Sequence, residues 1–179
     1  KMVTRANVYL HDDMVLSADV EKMLSKPASQ SALGSVGSEL KRRVLLKNED
    51  FGISLKHYLA YTLKSLLGHP YPSKPQSGEL NAFRIDVEKT DIPIPSDNVD
   101  VSALYELSSC EPKLAKLSTF RFLSHINAFE TVNTNRLHVA IAAAKLGKKV
   151  NLYGNNYFKI RAIYEYSLKG KYANVTWKE

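Results

Sequence analysis

The chain has 179 residues, 44% hydrophobic and 24% charged, an ordinary balance for one globular domain, which at this size buries roughly 70% of the surface of its unfolded chain. Twenty-five Lys and Arg against 18 Asp and Glu give a formal net charge of +7, which favours anionic partners (phosphorylated small molecules, acidic polysaccharide, a membrane surface or nucleic acid) without choosing among them. A single cysteine, Cys110, excludes an intrachain disulfide and fits a reducing compartment, and no apolar run approaches the roughly 18 residues needed to span a bilayer.

The chain opens on Lys1 and enters a strand-like run, ANVYLH (6–11), almost at once, which leads us to expect further residues upstream. A helical pattern follows through Met14, Leu16, Val20, Met23 and Leu24. The Ser-, Gly-, Ala- and Pro-rich stretch 25–38 reads as a loop, KRRVLLK (41–47) as a strand with a basic lead-in, and 52–70 as an amphipathic helix stopped by Gly68 and Pro70. ELNAFRIDVE (79–88) has the pattern of a strand, the proline-bearing stretch after it that of a loop, and 99–109 that of a short helix. A helix over 111–130 with Pro112 in its first turn leads to a very short buried strand, TVNT (131–134). An Ala-rich helix ends at Gly147, a strand covers 148–154, a last helix runs over 155–170 to Gly170, and NVTWK adds an edge strand. From residue 79 onward strands and helices alternate, which predicts an α/β fold: a Rossmann-like parallel sheet flanked by helices, with ligands at the carboxyl ends of the strands.

The helix start at 134–138 carries more than helix formation needs. Thr134 is a suitable N-cap for a first turn of Asn135, Arg136, Leu137 and His138, and Gly147 with Lys145, Lys148 and Lys149 suits the other end. Arg136 and His138 are left over. A helix start offers free N–H groups, Arg adds a fork that matches a carboxylate or phosphate, and His adds a group that moves protons near neutral pH. A solvated Arg and an inert His at a loop edge are the commoner outcome for such residues, so the local pattern leaves both readings open. In FRIDVEK, Arg84, Asp86 and Glu88 alternate and would point the same way on a continued strand, either into the same crevice or into a surface ion-pair cluster with Lys89. In YGNNYFK, Gly154, Asn155 and Asn156 open a helix after a strand and Lys159 adds charge, but neither GxGxxG nor GxxxxGK[ST] is present. His11, Asp12 and Asp13 lack a second cluster with metal-ligand spacing, so no metal is expected; His57 and His125 read as structural.

The block FETVNTNRLHVAIAAAKLGKKVNLYGNNYFKIRAIYEYSL resembles the C-terminal signature of the polysaccharide pyruvyl transferase family. That signature has a Thr-x-Arg-Leu-His helix start, a Gly-Lys-Lys-Val strand and an Asn-x-Tyr-x-Lys helix start. FRIDVEK is similar to the family's Arg-bearing strand end, and Asp13–Met14 more weakly to its Asp-Met pair. The likeness covers about 79–170, is faint at 7–16 and is absent from 25–78, a tract that reads as an insertion or as the sign of a divergent subfamily, within a single domain of residues 1–179. Val139 stands where many members have Gly.

The resemblance implies one lobe of a GT-B-like two-lobe enzyme, the C-terminal lobe of a longer protein. It also implies transfer of a pyruvyl group from phosphoenolpyruvate to hydroxyls of a polysaccharide or lipid-linked sugar, forming a ketal, with no cofactor and no nucleic-acid partner. On this reading His138 is the acid–base group and Asp86 or Glu88 the base or sugar-orienting group. Arg136, Arg84, Thr134, Asn135, Asn156, Lys159 and Asp13 bind substrate. The expected setting is cytoplasmic, at the membrane surface where the acceptor is lipid-linked. The alternatives are a GT-B-type glycosyltransferase that uses a nucleotide-sugar, and a non-catalytic module that binds polyanions.

Overall fold

The computed structural model describes residues 14–25, 78–87, 91–106, 112–155 and 158–178. The strand expected at 6–11 and nearly all of the tract 25–78 lie outside the described residues, as do Asp13, Glu88, Cys110 and Asn156. The described chain is α/β. Four parallel strands, β1 (Glu79–Asn81), β2 (Thr131–Thr134), β3 (Lys149–Tyr153) and β4 (Val175–Lys178), lie side by side in chain order, so β4 is the expected edge strand. The helices are α1 (Val20–Ser25, preceded by a 3-10 turn at Met14–Ser17), α2 (Val101–Tyr105), α3 (Pro112–Asn127), α4 (Leu137–Lys145) and α5 (Phe158–Ile163). Among the described residues no helix is long and apolar enough to cross a membrane.

The register sorts the side chains of the sheet into two faces. Leu80, Val132, Val150 and Val175 align across the four strands and are all buried, with Leu152 and Thr134 continuing that face. The opposite face is polar. Asn81, Asn133 and Asn151 align, and their amides bond in series: Asn151 Nδ2 donates to Asn133 Oδ1 at 2.7 Å, Asn133 Nδ2 to Asn81 Oδ1 at 3.0 Å, and Asn81 Nδ2 to Asp97 Oδ1 at 2.9 Å. Each amide of the series donates to the next, so the polar groups of these short strands are satisfied in place.

Helix α4 is the centre of the fold. Of its nine residues only His138 and Lys145 are not buried. An amphipathic helix shows one apolar face; one that is apolar all round is enclosed. Accordingly α4 packs on β2 and β3, on α3 and on the 3-10 turn, and its three consecutive alanines, Ala142 to Ala144, let those neighbours approach closely. Lys145 reaches across to donate to Leu16 O at 2.8 Å. The helix stops in a complete Schellman arrangement: Lys148 N donates to Ala143 O and Gly147 N to Ala144 O, with Gly147 at φ +71°.

Three expectations are corrected. The strand of 79–88 ends at Asn81, because beyond Ala82 the backbone is held by side-chain amides rather than by a neighbouring strand. Thr134 is not the N-cap of α4: it is the last residue of β2, and Arg136 occupies the cap position with extended backbone angles and no side-chain cap bond. The helix expected over 155–170 is α-helical only to Ile163 and widens to a π-helix over Tyr164–Leu168, where Lys169 N donates to Tyr164 O at 2.8 Å.

His125 is structural, as expected. It is buried on α3, hydrogen-bonded through Nδ1 to Tyr105 Oη at 3.0 Å and stacked on Phe129, and burial holds its pKa below the ordinary value. The unfolded chain protonates this ring near pH ~6.5. Below that pH the unfolded state binds more protons than the folded one, so stability is lost as pH falls through the window between the two values. The urea midpoint of the wild-type chain is expected to fall on acidification below pH ~6.5 more steeply than that of His125→Gln. In a second test, Ala143→Leu, nearly neutral in helix propensity, is expected to cost about 1–3 kcal/mol by overpacking the fully buried site beside Ala142 and Ala144; urea unfolding measures it.

Candidate anion-binding site

Three segments converge at the carboxyl end of the sheet, and side-chain oxygens hold them together. Beyond β1, Ala82 N still donates to Asn133 O of β2 at 2.8 Å. At the next residue the ladder is replaced: Phe83 N donates to Asn98 Oδ1 at 2.7 Å, and Asn98 Nδ2 returns a bond to Phe83 O at 3.0 Å. Arg84 N then donates to Asn135 Oδ1 at 2.8 Å. From the β2 side, the Thr134 hydroxyl donates to Ala82 O at 2.7 Å and accepts from Arg136 N at 3.0 Å. Thr134 and Asn135 are fully buried. Neither lines the cavity described below, so the structure gives these two expected substrate-binding residues a stitching role. They fix the backbone of Arg84 and Arg136, both of which line the crevice.

Between these segments lies a cavity of about 280 Å³. Arg84 comes from the segment after β1, Arg136, Leu137 and His138 from the start of α4, and Asn155, Lys159 and Ile160 from the segment after β3 and from α5. Ser102, on the first turn of α2, completes the lining. Four of the residues singled out in the sequence, Arg84, Arg136, His138 and Lys159, are thus brought together from three separate places. His138 is the exposed residue of an otherwise enclosed helix start, so its imidazole stands where the buried helix meets the cavity.

Two carboxylates share the guanidinium groups. Arg84 Nη2 donates to Asp86 Oδ2 at 2.9 Å, and Arg84 Nε lies 2.8 Å from Asp86 Oδ1, within ion-pair distance but off the angle of a good hydrogen bond. Asp86 also reaches Arg136, Nη2 to Oδ2 at 3.5 Å. The other carboxylate is Asp100, whose Oδ2 accepts from Arg136 Nη2 at 2.5 Å while its Oδ1 accepts from Ala103 N and caps α2. Arg136 Nε is buried without a hydrogen-bond partner among the described residues. Sequence reasoning missed Asp100. Its signal was local: an Asp placed just before a short apolar helical run is an N-cap candidate, but nothing local ties it to an arginine 36 residues away.

The site can therefore hold a compact oxyanion between two forked cations, with an imidazole and an ammonium at its margin. Among the described residues no three His, Cys, Asp or Glu side chains come together as a metal site.

No family model and no curated protein matches the chain. The crystal structure of a functionally uncharacterised protein from Klebsiella pneumoniae subsp. pneumoniae NTUH-K2044 is 30% identical over 62% of this chain, with a TM-score of 0.48. The match spans 41% of that protein's length. The class of protein defined by the described strands and helices is an α/β, Rossmann-like one.

The stitch at the end of β2 has a measurable consequence. Asn135→Ala is expected to cost about 1–3 kcal/mol, because it leaves the Arg84 N–H without its acceptor in a part-buried place; urea midpoints report the loss. An unchanged midpoint would mean that Asn135 does not hold the Arg84 segment.

Proposed function

We propose that the chain carries the donor site of a pyruvyl transferase that moves the pyruvyl group of phosphoenolpyruvate onto sugar hydroxyls. The observation that carries this reading is the convergence of Arg84, Arg136, His138 and Lys159 on one cavity. The proposed donor bears a carboxylate and a phosphate close together, and two neighbouring guanidinium forks lining one small cavity suit both. His138, exposed at the head of α4, is the proton-transfer group.

In the proposed reaction the enol carbon C3 gains a proton and becomes the methyl group, while C2 takes on cationic character. One sugar hydroxyl adds to C2 and loses its proton. A second hydroxyl then displaces phosphate from C2 and loses its proton, leaving the cyclic ketal and inorganic phosphate. One of the two hydroxyl protons balances the proton gained at C3, and the other leaves with phosphate. The arginines bind and orient the donor and stabilise charge on the departing phosphate; His138 delivers the proton to C3. The acceptor, a polysaccharide or lipid-linked sugar, enters from the open side of the cavity.

Thermal unfolding of the full chain with phosphoenolpyruvate or a nucleotide-sugar tests the donor. Stabilisation by phosphoenolpyruvate is expected, and loss of that stabilisation in Arg136→Ala. Stabilisation by nucleotide-sugars alone would replace pyruvyl by glycosyl transfer. With an accepted sugar, His138→Ala is expected to lower kcat by about 10²–10⁴-fold, measured as phosphate release.

A further inference from the structure

The oxygens of Thr134 and Asn135 fix Arg84 and Arg136, but the remaining wall of the cavity comes from a different part of the chain: Asn155 just after β3, and Lys159 and Ile160 on α5. We propose that Trp177 is the positioning residue of that wall. Its indole, on the edge strand β4, meets the chain just before the wall, at Gly154, and just after it, at Arg161 and Tyr164, and so sets where Asn155 and Lys159 meet the ligand. This rests on the reading of the cavity as an anion site and deepens it by naming what aligns the lysine.

The register brings the indole there. Trp177 pairs with Leu152 across β3 and β4, on the buried face of the sheet. Residues two apart on a strand share a face, so beyond Leu152 the next position beneath the ring is Gly154. A Cβ placed on Gly154 would lie 3.3 Å from Cζ2 and 3.6 Å from Cη2 of the indole. Gly154 is not one of the described glycines with positive φ, which are Gly78, Gly147 and Gly170. Its backbone therefore does not call for glycine; the closeness of the indole does.

The other contacts hold α5. The Tyr164 ring lies 5.2 Å from the indole, tilted by 35°, and the Arg161 guanidinium carbon sits 5.9 Å from the indole centroid, a cation–π pair. With only six residues, α5 is too short to be a stable helix by its own hydrogen bonds, so packing from outside sets its orientation. Residues three apart on a helix are neighbours on its surface, whereas residues two apart do not face each other. The turn that brings Arg161 and Tyr164 to the indole thus leaves Lys159 free to point elsewhere, and it lines the cavity.

Titration of the full chain with inorganic phosphate, and separately with phosphoenolpyruvate, by calorimetry at constant ionic strength tests this role. Trp177→Leu is expected to weaken binding about tenfold in the wild-type background and about twofold or less in a Lys159→Ala background, because the lost alignment acts through the lysine. A general loss of structure would weaken binding by the same factor in both backgrounds. Equal factors therefore overturn the proposal, and so does unchanged affinity in Trp177→Leu. Gly154→Ala disturbs the same contact while keeping the indole in place as part of the core. Trp177 is the single tryptophan of the chain, so the emission spectrum reports on this contact alone. The added methyl group is expected to shift the emission maximum and to weaken phosphate binding about threefold to tenfold. An unmoved maximum, or a moved maximum with unchanged affinity, overturns the proposal and leaves the anion site standing. If the wild-type chain binds neither anion, the anion site fails together with the inference.

Discussion

Two buried oxygens at the end of β2 fix the geometry on which everything else depends. Thr134 Oγ1 and Asn135 Oδ1 bond to the backbone on both sides of Phe83, at Ala82 O and Arg84 N, and Thr134 also holds Arg136 N. The strand β1 is only three residues long, so its own ladder cannot carry the chain as far as Arg84. Side-chain acceptors complete the task, with Asn98 matching them from the other side. Buried donors and acceptors that lose a partner are costly, which makes this junction a rigid frame and makes the separation of the two arginines a property of the fold.

The second constraint is the enclosure of α4. Because Leu137 and every residue from Val139 to Ala144 are buried, the helix has little freedom to shift, and its first turn is delivered to the cavity in a fixed orientation. His138 takes its position from that enclosure, and Arg136, at the cap, takes its position from Thr134 and Asp100. The placement of the cavity residues thus rests on residues that do not line the cavity: alanines that let the sheet and α3 close around α4, and amides that replace a missing strand.

Much of this was legible from residue order. The alternation of strands and helices after residue 79 follows from apolar periodicity and from turn residues such as Gly147, and it fixed the parallel sheet and placed Arg84, Arg136, His138 and Lys159 near the carboxyl ends of the strands. Where the sequence misled, a physical substitute was at work. Thr134 has the composition of an N-cap, but its hydroxyl serves the N–H two residues on, a turn bond of the same chemistry set earlier in the chain. FRIDV alternates like a strand, but amides from Asn98 and Asn135 take the place of the ladder. Asp100 was invisible as a partner of Arg136 because contact across 36 residues leaves no local trace. The π-helical turn at Tyr164–Leu168 has the same apolar spacing as an α-helix end and gave no warning.

The claim at the centre is that Arg84 and Arg136 jointly grip one small dianionic or trianionic donor. The most direct measurement is the arginine side-chain Nε–Hε NMR spectrum of the full chain during titration with phosphoenolpyruvate, with the two signals assigned through Arg84→Lys and Arg136→Lys. Both signals are expected to shift together along one saturating curve. Shifts confined to other arginines, or no saturable shift of either signal, would contradict the account.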